Sequence, residues 1–223
     1  MNKLSKSIYQ TWYTKNLPEP IQKSIDKMLE LNPEYEYHLY DDDEMLNFVH
    51  DNYPGEISTA FDTIKIGAMK ADLWRYLVLY KFGGVYLDID SEIYSDLSNL
   101  IVDDCAVITR ENNPNLFVQW MLIFPANHEL LKICIDKCIW NIMNIKDDVA
   151  KVTGPYVYSD SIREYLEDNN VYNKTDDEIN RTNIEKKLKI FSHDYNGYAS
   201  YYHADRHLLY VNKTYWRDEQ NNY

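Results

Sequence analysis

The stretch from Ala71 to Asp90, ADLWRYLVLYKFGGVYLDID, constrains this chain more than any other. Leu73, Leu77 and Tyr80 recur at helical spacing, as do Tyr76 and Leu79, which predicts a helix. Gly83 and Gly84 end it, because glycine takes the left-handed conformation that a helix C-cap needs. Val85, Tyr86 and Leu87 then form a short strand that delivers Asp88 and Asp90. On an extended backbone residues i and i+2 point to one side, so both carboxylates are expected to face the same way. Two oxygen ligands so placed suit a hard divalent cation, Mn²⁺ or Mg²⁺, and that cation suits a diphosphate. Asp72 and Arg75, spaced i, i+3, share one face of the preceding helix. An acid, a base and two carboxylates are therefore expected to converge near the end of one buried strand.

The pattern Ala71-Asp72-x-x-Arg75-Tyr76, then Gly83-Gly84-Val85-Tyr86-Leu87-Asp88-Ile89-Asp90, resembles the DXD-containing sugar-binding region of glycosyltransferase family 32. That family includes capsule and mannosyl transferases and, more distantly, the glucosylating domains of large bacterial toxins. The resemblance continues in Ile8-Tyr9-Gln10-Thr11-Trp12, where Tyr9 stands in place of the usual His, and in Thr153-Gly154-Pro155. It is looser in Ala199-Ser200-Tyr201-Tyr202-His203 and in Thr214-Tyr215-Trp216. The resemblance implies an α/β fold of GT-A type, with a Rossmann-like mixed central sheet flanked by helices and the DXD at the end of a central strand.

The rest of the chain reads in agreement with this. Ser7 to Thr11 is expected as the first strand, Pro20 to Leu31 as an amphipathic helix and Tyr35 to Tyr40 as the second strand. This strand–helix–strand–helix order points to a nucleotide-binding α/β half, and the lack of a Gly-rich dinucleotide fingerprint gives no reason to expect NAD. Asp41, Asp42 and Asp43 precede a helical pattern, where acids serve as N-cap and first-turn residues. Glu92 to Tyr94 reads as a return strand and Cys105 to Thr109 as a buried one, while Phe117 to Phe124 fits strand or helix. A helix from Glu129 to about Asn144 is expected, with Asn127 as N-cap and His128 structural. Lys146 to Lys151 reads as a polar loop. A single domain over 1–223 is expected, with a flexible insertion at about 168–187.

The net charge of −13 argues against nucleic acid or an anionic membrane as a general partner. The opening MNKLSKSIYQTW has no apolar core of a signal sequence, and no run reaches the length of a membrane span. Three cysteines, two of them spaced i, i+4, fit reduced thiols and a cytoplasmic setting.

What the resemblance implies is transfer of a sugar, with retention at the anomeric carbon, from a nucleotide-sugar to a glycan or other hydroxyl acceptor. A UDP-sugar is favoured over GDP-mannose. Asp72, Arg75, Asp88 and Asp90 are the expected catalytic set. Trp12 is expected to stack on the base, and Tyr86, Asp72, Arg75 and Gly154 to line the donor site. Asp88, Asp90 and His203, with His207 as its rival, are the expected ligands of Mn²⁺ or Mg²⁺. Two other readings of the residues stay open: a nucleotide-sugar hydrolase on the same metal site, and an inactive sugar- or nucleotide-binding module.

Overall fold

The computed structural model describes residues 4–101, 104–181, 188–191 and 194–200. Strand β1 (Ser7–Thr11), helix α1 (Glu19–Leu31), β2 (Glu36–Tyr40), α2 (Asp42–Asn52), α3 (Glu56–Thr63) and α4 (Gly67–Phe82) come first. Next are β3 (Gly84–Leu87), β4 (Glu92–Ile93), β5 (Ala106–Thr109), β6 (Met121–Phe124) and α5 (Glu129–Asn144). Then come α6 (Val149–Val152), α7 (Pro155–Asp168), α8 (Asp176–Arg181), β7 (Leu188–Phe191) and β8 (Ala199–Ser200). Six strands form one sheet in the order β2-β1-β3-β6-β5-β7. β1 runs parallel to both β2 and β3, and β6 runs antiparallel to β3 and β5. The sheet is mixed, with β3 in its interior, as expected for a GT-A fold.

The two-residue period of the strands divides the core into two layers. Val85 and Leu87 join Met121, Ile123, Val107 and the α1 residues Ile21, Ile25 and Met28 on one face. Tyr86 joins Leu122, Phe124, Ile108 and the helices α2 to α5 and α7 on the other. Asp88 shares the parity of Tyr86, so its side chain is directed to the α4 layer. Gln10 shares the parity of Ile8 and lies in the opposite layer.

Several details differ from the sequence expectation. β4 does not return to the main sheet but pairs with β8 in a separate two-stranded sheet. Of the ambiguous Phe117–Phe124 segment, Met121–Phe124 forms strand β6, buried along its length. His128, not Asn127, caps α5 by accepting from the Leu130 amide, and Asn127 sits in the left-handed region at φ 59°. His128 is thereby structural, as expected. Part of the polar loop after Lys146 coils into α6, started by the Asp148 side chain accepting from the Ala150 amide. Within the stretch expected as an insertion, α8 is tied by a forked Asp176–Arg110 pair to the residue just after β5, and to β7 through Asn180 and Ile190. Residues 182–187 lie outside the described residues. Asp41 does form a capping box with Glu44, as the acidic run predicts. The three cysteines are buried and form no disulfide with one another.

Candidate active site

The site grows out of the α4–β3 hairpin. Gly83 caps α4 at φ 66°, ψ −179°, a region open to glycine alone, and its amide bonds to the Leu79 carbonyl. A Cβ there would lie 2.6 Å from the Ala126 backbone nitrogen. The reversal lays β3 back along α4. Arg75 lies eight residues before Gly83, about 12 Å at helical rise. Asp88 lies four residues after Gly84, about 13 Å at strand rise. The two side chains therefore meet at the same height.

They meet around one guanidinium. Arg75 Nη2 is 3.1 Å from both Asp72 Oδ1 and Asp88 Oδ1. Its Nη1 donates to the Gln119 carbonyl at 2.8 Å and its Nε to the Ala71 carbonyl at 3.3 Å. The guanidinium lies over the Tyr86 ring, 4.6 Å from the centroid, and the Tyr86 hydroxyl donates to Asp88 Oδ1 at 2.7 Å. Burial works against the charge on Arg75, but Asp88, Tyr86 and Asp72 more than offset it and raise its pKa. Burial also holds the Tyr86 hydroxyl protonated, so it stays a donor. Tyr86 is buried under this cluster, and its visible work is to orient Asp88 and Arg75. Such a network is costly to break, because removing one partner leaves buried charge uncompensated.

Asp72 carries the second half of the clamp. Its Oδ2 accepts from the Thr153 hydroxyl at 3.0 Å. Burial pushes its carboxyl up to about 6, against the pull of Arg75 and the Thr153 hydroxyl and with a further push from Asp88. Gln119 donates from Nε2 to the Tyr76 hydroxyl at 2.6 Å and to the Thr153 carbonyl at 3.1 Å. On the other face, Gln10 donates to the Asp88 carbonyl at 3.2 Å and accepts from the Tyr37 hydroxyl at 2.9 Å. Gln119, Gln10 and the Thr153 side chain escaped the sequence reading. A glutamine inside the apolar run from Phe117 to Phe124 was the available signal, since buried amides require partners.

The DXD geometry departs from expectation. β3 stops at Leu87, and Ile89 and Asp90 lie in a turn whose Ser91 amide bonds to the Asp88 carbonyl at 3.0 Å. The i, i+2 rule for extended chain thus does not apply, and the two carboxylates differ. The Asp88 side chain is 22% exposed, whereas Asp90 is buried. The Ser91 hydroxyl beside it is buried, with no hydrogen-bond partner among the described residues.

Trp12 is half-buried one residue beyond the carboxyl end of β1, its ring tilted against Tyr13 at 5.0 Å. Gly154 follows Thr153, but its missing side chain makes room for the protein itself: a Cβ would lie 2.6 Å from the Ala150 Cα. The close approach expected for a ligand is taken up by α6. His203 and His207 lie outside the described residues. Among the described residues no group of three His, Cys, Asp or Glu is placed to hold a metal ion. Asp88 and Asp90 are still a donor set that fits a hard divalent ion, because Mg²⁺ and its like are commonly held by one or two carboxylates plus phosphate oxygens and water. The buried Ser91 hydroxyl adds a polar atom at the same turn.

With this geometry in view, known proteins can be compared. Residues 18–107 match the family described as glycosyltransferase sugar-binding region containing DXD motif, and that span holds Asp72, Arg75, Asp88 and Asp90. Over that span the chain is similar to this DXD-containing glycosyltransferase family. Inositol phosphoceramide mannosyltransferase 2 of Schizosaccharomyces pombe is 38% identical over 98 residues, covering 44% of this chain and 28% of that protein. The chain spans about a quarter of the length of this and two further mannosyltransferase relatives. Among solved structures, the PaToxG glycosyltransferase superposes with a TM-score of 0.65 at 22% identity, over 77% of this chain and 74% of that one. The UDP-bound glycosyltransferase domain of the YGT toxin does so with a TM-score of 0.61 at 11% identity, over 93% of this chain and 82% of that one. These likenesses show the GT-A fold. No helix among the described residues is long and apolar enough to cross a membrane.

Proposed function

We propose that this chain transfers a hexose from a nucleotide-sugar donor to a hydroxyl of a glycan or other acceptor, at the turn that carries Asp88 and Asp90. The observation that carries this reading is Arg75, charged and clamped between Asp72 and Asp88 inside the family's sugar-binding region. When a sugar leaves a nucleoside diphosphate, negative charge grows on the diphosphate oxygens. A preorganised, buried guanidinium stabilises such charge without reorganising. Asp88 and Asp90 are the residues that would hold Mn²⁺ or Mg²⁺. That ion would supply Lewis-acid neutralisation of the diphosphate. Asp72, with one oxygen toward Arg75 and one toward Thr153, retains lone pairs for hydroxyls of the sugar. Trp12, beyond the end of β1, offers an aromatic face to the base.

The donor is favoured as a UDP-sugar, a reading supported by the resemblance and by a UDP-bound structural neighbour. The mannosyltransferase relatives make mannose the sugar to test beside it. Retention at the anomeric carbon follows the resemblance, and proton NMR of the initial product anomer reads it directly. A thermal-shift screen tests the donor assignment, using UDP-glucose, UDP-galactose, UDP-N-acetylglucosamine and GDP-mannose, each with Mn²⁺ and with EDTA. One of these should stabilise the protein only with metal, by about 3 kcal/mol at a hundredfold excess over Kd. Stabilisation by none, or equal stabilisation in EDTA, contradicts the reading.

A further inference from the structure

We infer that Thr153, backed by Gln119, is a positioning residue that fixes the Asp72 carboxylate for the sugar of the donor. The inference rests on the function proposed above and adds a residue to it. Thr153 is fully buried at the end of α6. Its amide and that of Gly154 both bond to the Val149 carbonyl at 3.0 Å, so the turn is rigid at this point. The missing side chain of Gly154 lets the turn lie close on α6, since a Cβ there would fall 2.6 Å from the Ala150 Cα. From that turn the Thr153 hydroxyl reaches Asp72 Oδ2, across 81 residues of sequence, at 3.0 Å.

The contact does something that the ion pair cannot. Arg75 engages Asp72 through Oδ1. A carboxylate held at one oxygen swings about its last torsion, which is broad for this side chain. A donor on Oδ2 removes that freedom and fixes the plane of the carboxylate. Gln119 then couples the two halves. Its carbonyl accepts from Arg75 Nη1, and its side-chain amide donates to the Thr153 carbonyl. The residue holding the acid is thus hydrogen-bonded to the residue holding the base. Each Asp72 oxygen keeps acceptor capacity after these contacts, so the fixed carboxylate can take a sugar hydroxyl.

The test compares Thr153→Val, Thr153→Ala and Thr153→Ser with the wild type. Calorimetry measures binding of UDP, GDP and the matching nucleotide-sugars with Mn²⁺, and initial rates give kcat/KM. Thermal melting checks that each variant is folded, and the alanine variant serves if valine does not fit. Both hydroxyl-free variants should bind the nucleoside diphosphate within about twofold of wild type. They should lose about tenfold or more of the extra affinity that the sugar confers, and a similar factor in kcat/KM, as for a hydrogen bond to a charged group. Thr153→Ser should restore both to within about threefold. A folded Thr153→Val or Thr153→Ala that keeps the sugar's extra affinity overturns the inference and leaves the proposed function standing. So does equal weakening of diphosphate and nucleotide-sugar. A wild type that binds none of these nucleotides overturns the proposed function, and the inference with it.

Discussion

At the scale of single residues, Arg75 dominates. It carries a buried charge that two carboxylates share, and its roles in stability and chemistry are separable. Arg75→Ala leaves Asp72 and Asp88 without their cation and is expected to cost about 3–5 kcal/mol in urea unfolding. Arg75→Lys keeps a charge but loses the planar fork that contacts four groups at once. That variant should stay folded while kcat falls about 10²-fold, the loss typical of one preorganised electrostatic donor. Asp72 gives a second handle through pH. Its carboxyl is raised to about 6 in the fold, from near 4 in the unfolded chain. Between those values the native state binds more protons than the unfolded one, so stability falls as pH rises and this contribution is lost above about 6. The loss amounts to about 3 kcal/mol. Unfolding of wild type and Asp72→Asn at pH 4.5 and 7 should show the asparagine variant gaining relative to wild type at the higher pH. A pH-independent difference would refute the shift. Under the proposed role, in which the ionised Asp72 accepts a hydrogen bond from a hydroxyl of the donor sugar, kcat/KM should rise through pH 6 in the wild type.

At the scale of elements, the α4–β3 hairpin is the unit that builds the site. Its turn is where a small change does most damage. Gly83→Ala would place a methyl group against the Ala126 backbone nitrogen in a region reserved for glycine. It is expected to cost about 3 kcal/mol or more in chemical denaturation, combining strain and overpacking. This hairpin was the most legible part of the site. Helical period, double glycine and strand length together set the heights of Arg75 and Asp88, and every quantity in that sum is local. What local reading could not supply was the end of β3. The i, i+2 rule assumes that the strand continues, and the turn at Ile89-Asp90 breaks it. The same limit explains the N-cap of α5, where Asn127 and His128 are both capable and tertiary packing against Phe124 and Tyr165 favours His128. Thr153 was read as part of a turn motif, but its partner lies in α4, and no periodicity encodes that contact.

At the scale of the whole molecule, the mixed sheet gathers what the chain scatters. β3 brings Asp88, the segment before β6 brings Gln119, β1 brings Gln10, and the α6–α7 turn brings Thr153. The alternation of buried strands assigns Asp88 to the helix layer with Arg75 and Gln10 to the opposite layer, so the DXD turn is gripped from both sides of the sheet. Trp12 occupies the neighbouring strand end. Trp12→Ala is predicted to weaken donor binding about tenfold in calorimetry, the worth of one base–aromatic stack, with kcat little changed. The layer architecture was legible because periods of 2 and 3.6 report burial directly. The cross-sheet grip was not, because it depends on strand order, which one sequence without its contacts leaves open. The central claim concerns the turn itself, and one measurement addresses it most directly: initial rates of donor turnover across a Mn²⁺ titration for wild type, Asp88→Asn and Asp90→Asn, with melting curves for each. Wild type should require the metal and stop in excess EDTA, and both variants should melt as folded proteins yet lose at least about 10²-fold in rate at any metal concentration. Full turnover by either variant, or by the wild type in EDTA, would contradict the account.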